Sequence, residues 1–95
     1  MAKQPNVIRT QTAREFRKRL INIIKDEGEA WNYHICERIF AEDNLDRNDK
    51  RKWDALQVKI SNNIQILLGS GQIELSKEVM GNHPHQKRKM WRAVK

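Results

Sequence analysis

DKRKWDALQVKISNNIQILLGSGQIELS, residues 49–76, carries two hydrophobic periods in succession. Trp53, Leu56, Ile60, Ile64 and Leu67 recur every three or four residues, the spacing that lines one stripe of an α-helix. Gly69 supplies a stop. Beyond it QIELS (72–76) alternates polar and apolar side chains, the period of a half-buried strand. The stretch predicts a helix over about 49–69, with Asp46 or Asn48 available to cap its start, followed by a strand.

Toward the C-terminus, GNHPHQKRK (81–89) contains Gly, Asn and Pro to turn the chain, and MWRAV (90–94) alternates again. The two alternating stretches are expected to pair as a hairpin with a long basic tip. Toward the N-terminus, AEDNLDRND (41–49) is rich in acids and turn formers and reads as a connecting loop. Ahead of it, Ile35, Ile39 and Phe40 predict a short helix over about 32–41, with Asn32 as its N-cap. Thr12 and Glu15 fit a capping box. Behind that box Phe16, Leu20, Ile23 and Ile24 predict a helix over 12–27, ended by Gly28. Residues 1–11 hold Pro5 and no apolar period, so they are expected to form a flexible basic arm before one domain over 12–95.

Three helices and then a hairpin on one small core give a mainly α fold, in the element order of a winged helix-turn-helix. ISNNIQILLGSGQIEL (60–75) resembles the end of the recognition helix and the first wing strand in bacterial and phage winged helix-turn-helix regulators. Ile60, Ser61, Ile64, Leu67, Gly71 and Ile73 stand, in order, at that family's recurrent positions. HQKRKMWRAV (85–94) is similar to the basic return strand of the wing. The resemblance implies sequence-specific binding of double-stranded DNA, with the third helix in the major groove, the wing on the backbone, and a role in transcription or replication control.

Composition agrees with a polyanion partner. Nineteen Lys and Arg oppose twelve Asp and Glu, a net charge of +7, and the pI is near 9.9. Residues 1–25 carry +6, residues 26–50 carry −5, residues 51–77 carry +2 and residues 78–95 carry +4, so basic ends enclose an acidic middle. The lone cysteine, Cys36, excludes an internal disulfide framework and points to a reducing, cytoplasmic setting. No stretch approaches transmembrane length, and MAKQPNVIRT lacks a signal-peptide core, so no membrane association is expected.

At 100° per residue, Arg51, Ala55, Val58 and Asn62 lie opposite the apolar stripe of the third helix. Asn pairs with adenine, Arg with guanine, and Ala or Val meets a thymine methyl. Lys59 and Ser61 flank this face and complete the candidate recognition set. Val58 and Ile66 leave another reading open, burial against the second helix or against the partner in a homodimer. Lys87, Arg88 and Lys89 at the wing tip, with Lys3 and Arg9 in the arm, are candidate phosphate contacts; a charge run that protects a strand edge is the alternative for the tip.

Chemistry beyond binding finds little support. His83, His85, His34 and Cys36 do not match a zinc-site spacing, so neither metal nor cofactor is expected. Gly69 and Gly71 follow a helix instead of preceding one, which excludes a phosphate-cradling loop, and the acids fall in a loop or on helix surfaces. The chain therefore reads as a non-enzyme. Trp53 and Trp91 fit the core, whereas Trp31 fits either a short strand against the hairpin or an exposed anchor. The rival function is a protein-interaction adaptor on the same fold, using the acidic loop 42–49. RNA binding would need an aromatic platform that the sequence does not announce.

Overall fold

The structure, a computed structural model, describes residues 12–81 and 87–94. The arm residues Lys3 and Arg9 and the turn residues His83 and His85 lie outside them. Helix α1 (Ala13–Glu27) begins at the predicted capping box: the Thr12 amide donates to Glu15 Oε1 at 3.0 Å and the Glu15 amide to Thr12 Oγ1 at 3.1 Å. It ends where Gly28, at φ +83°, lets the chain turn and return its N–H to the Lys25 carbonyl. Phe16, Leu20, Ile23 and Ile24 are buried, as their spacing requires.

Helix α2 (Asn32–Glu42) and helix α3 (Lys50–Gly69) follow. Their caps differ from the sequence reading. Trp31, not Asn32, occupies the N-cap of α2 and offers no side-chain bond, while Asn32 Oδ1 accepts from Trp91 Nε1 at 2.8 Å instead of capping the helix. At α3 the cap is Asp49, which accepts from the Lys52 amide at 3.1 Å; Asp46 turns inward on the loop and accepts from the Asn48 amide at 2.9 Å. The stop after α3 belongs to Gly71, at φ +77°, since Gly69 is still helical.

Strands β1 (Ile73–Met80) and β2 (Lys87–Ala93) pair antiparallel, from Ile73 against Ala93 to Met80 against Lys87. Both run further toward the turn than alternation indicates. A register shift between Leu75 and Lys77 accommodates an extra residue, and from Lys77 to Met80 the strand is exposed throughout. A single bridge, Ala30 with Trp91, adds a third stub strand between α1 and α2. The stub falls at Ala30 and not at Trp31, because the residue facing the core must be small enough to disappear beneath β2. The Ala30 and Trp91 amides exchange hydrogen bonds of 3.0 and 2.7 Å. The result is a three-helix winged helix-turn-helix.

The three helices share one core. Phe40 and Ile39 of α2 meet Leu56, Ile60 and Ile64 of α3, with Leu20 and Ile24 of α1 beneath them, all 2% exposed or less. Removing a side chain such as Ile60 to Ala would cost about 2–5 kcal/mol. Leu45 explains why the acidic loop is ordered: its amide donates to the Phe40 carbonyl at 2.9 Å and its side chain packs on this core.

Candidate nucleic-acid interface

Because Leu56, Ile60, Ile64 and Leu67 bind α3 to the core, the opposite side of the helix is left outward. Arg51, Ala55, Ser61 and Asn62 are exposed there, and so are Val58 and Ile66, at 60% and 51%. Burial of Val58 and Ile66 against α2 is therefore overturned. Asn62 and Asn63 part ways. Asn63 is buried, its amide donating to the Lys59 carbonyl at 2.8 Å and its oxygen accepting from Arg17 Nη1 at 3.2 Å.

Lys59 departs from the expected groove face. Its ammonium sits 4.5 Å from the Phe16 ring centroid, toward α1, and desolvation lowers its pKa. It covers the seam between α1 and α3 instead of pointing outward with Asn62.

The wing cations are also relocated. Lys87, Arg88 and Lys89 belong to β2, paired with Met80, Val79 and Glu78, so they stand along the wing and not at its tip. The Arg88 guanidinium lies 4.4 Å from the Trp31 ring centroid. Here the hairpin, α2 and α3 enclose a cleft of about 310 Å³, lined by Trp31, Asn32, Ser61, Gln65, Arg88, Lys89 and Trp91. Ser61 and Lys89 come together in it. Arg51 stands apart, at the far end of α3.

An aromatic row extends from this cleft. Trp31 stacks on Tyr33 at 5.3 Å, Tyr33 meets Trp53 edge-on at 5.1 Å, Trp53 meets Phe40 edge-on at 5.1 Å, and Arg47 lies 4.4 Å from the Trp53 ring. Trp53 is thus half-buried, a link between core and surface. Sequence reasoning missed Tyr33, Asn32 and Gln65. Tyr33 stands two positions from Trp31, but only the tertiary approach of α3 gives that pair a partner.

The acidic middle is largely satisfied from within. Arg19 holds Glu42 and Asp43 at 3.0 and 2.8 Å, and Arg38 holds Asp26, Glu27 and Glu42 at 2.6, 2.9 and 2.9 Å. Glu37 pairs with Arg47 at 3.1 Å. The hydrogen bond from Arg38 is the main cause that holds the Glu42 carboxyl below the usual range, against an opposing effect of burial. Among the described residues no three His, Cys, Asp or Glu side chains converge as a metal site would need, and no helix is long and apolar enough to cross a membrane. Cys36 is buried, and desolvation pushes its thiol up to about 12.

Comparison with known proteins finds no matching family model, no matching curated protein and no matching solved structure.

Proposed function

We propose that this protein binds double-stranded DNA, with α3 in the major groove and the β1–β2 hairpin along the adjoining backbone, in transcription or replication control. The observation that carries the reading is the outward face of α3. Arg51, Ala55, Val58 and Asn62 form an exposed row with base-reading chemistry, and the cleft beside it brings Ser61 and Gln65 next to Arg88 and Lys89. Ser61, Arg88 and Lys89 supply phosphate contacts, which fix position without reading sequence. The ion pairs within the acidic middle support this reading further, because they leave less free negative charge to repel a phosphate backbone.

The test is duplex binding at several salt concentrations, with selection of a preferred site from a random pool. The logarithm of affinity should fall linearly with the logarithm of salt concentration, with a slope of about −0.9 per phosphate contact. Replacing Lys89 by Gln should flatten that slope on cognate and random duplexes alike. Salt-insensitive binding, or none at low salt, would sink the proposal. A second reading, a protein adaptor or homodimer through α3, is favoured by the exposure of Val58 and Ile66. It would replace the first if Val58→Asp abolished a protein complex and left duplex binding unchanged.

A further inference from the structure

A second set of free cations lies away from α3. Arg14, Lys18 and Lys25 lie on the outward side of α1, opposite its buried stripe of Phe16, Leu20, Ile23 and Ile24. They are exposed, and among the described residues none of the three has an ion-pair, hydrogen-bond or aromatic partner. Arg17 joins Arg14 and Lys18 at the edge of a depression of about 500 Å³, lined also by Ile21 and Gln72. Arg19, on the other flank of α1, is consumed by Glu42 and Asp43. The helix thus separates its five cations: Arg19 is neutralised inside the fold, Arg17 is bonded to Asn63, and three are left outward.

The outward sides of α1 and α3 each face away from the same core, so they are different surfaces of the domain. We infer that α1 presents a second polyanion surface, and that its occupant is the phosphate backbone of a second DNA duplex, which would let one molecule hold two duplexes at once. The inference rests on the duplex reading above for the first of them. Two observations choose this occupant. A membrane-surface helix needs bulky apolar side chains to insert, but those of α1 are spent in the core and only half-buried Ile21 remains. A protein partner would want an aromatic or aliphatic anchor at the centre of the patch, and the patch offers Arg14, Lys18 and Lys25. Charge with little apolar surface suits a backbone contact that does not read bases.

The experiment captures the protein on an immobilised duplex carrying its selected site, then measures recruitment of a labelled random-sequence duplex at low salt. Wild type should recruit it. The variant R14Q/K18Q/K25Q should keep the immobilised duplex and lose recruitment by about tenfold or more, as expected for three lost phosphate contacts. Arg17 is left in place because it holds Asn63. Unchanged circular dichroism verifies that the variant folds; among the described residues none of the three side chains makes a hydrogen bond or ion pair.

Recruitment that survives in this variant overturns the inference and assigns bridging to a dimer with two α3 faces. Wild type that holds the immobilised duplex and recruits none overturns the inference alone. Wild type that holds no duplex overturns the proposed function together with it. A parallel arm with phosphatidylserine vesicles covers the remaining anionic surface. Vesicle binding lost in the variant, without duplex recruitment in wild type, gives the face to lipid and overturns the duplex assignment.

Discussion

Asn62 and Asn63 are the same residue type side by side, and their surroundings give them opposite work. Asn62 projects outward on α3, whereas Asn63 is 8% exposed with its oxygen and its amide both bonded. Asn62→Ala should leave folding stability within about 0.5 kcal/mol of wild type and cost about 1–3 kcal/mol of preference for the selected site over random DNA. Asn63→Ala should do the reverse, destabilising by about 1–3 kcal/mol through the unpaired Arg17 contact and the lost packing, with site preference retained. Urea unfolding and competition binding on both variants check this, and a matched effect of the two would refute the face assignment. Helical spacing made Asn62 legible as outward, since it lies opposite the Ile60 and Ile64 stripe. It did not reveal the bond from Arg17, which depends on how α1 lies across α3. Cys36 gives a simpler residue-scale expectation. Its thiol, buried and raised to about 12, should resist iodoacetamide in the native protein at pH 8 and react at once in denaturant. Rapid native labelling would contradict the burial.

At the scale of elements, the helices are legible from end to end, and the hairpin is legible at its base but not in its extension toward the turn. Each helix has one apolar stripe against one core, so its period survives in the sequence from end to end. The hairpin keeps its alternation only near its base, where Ile73 is buried and Trp91 closes over Ala30; past the register shift, residues 77–80 are exposed whichever way they point. No burial constrains that part of the sequence, so nothing there announces a strand. The base is held chiefly by Trp91, whose backbone bridges Ala30 and whose indole nitrogen donates to Asn32. Trp91→Phe removes that donor and part of the buried indole together. It should cost about 2–4 kcal/mol, measured by urea unfolding, for the lost hydrogen bond and the cavity left behind. A loss below about 0.5 kcal/mol would remove Trp91 from the support of the base.

For the whole molecule, charge is sorted by position. Cations of α1 and α2 that face the acidic middle are paired, and those of α1 that face away are not. This sorting has a pH signature. Glu42 has its carboxyl pKa lowered in the fold, so its contribution is fully present above the unfolded value of about 4.3 and is lost as pH falls through the lower folded value. The melting temperature should therefore decline in that acid window, and Glu42→Gln should flatten the decline by lowering the melting temperature at neutral pH, where the carboxylate contributes, toward its acid value. An identical acid profile in the variant would remove Glu42 from the account.

The Ala30–Trp91 bridge also bears on the order in which the molecule assembles. Asn32 and Trp91 are 59 positions apart, whereas each helix closes its hydrogen bonds within a single turn. Closing so long a loop must wait for its far end, at an entropic cost that rises with the logarithm of its length. On the ribosome, a nascent chain that has delivered α3 still lacks the strand that shields Ala30. The winged surface is therefore finished late, and refolding kinetics should be paced by this long-range docking more than by helix formation.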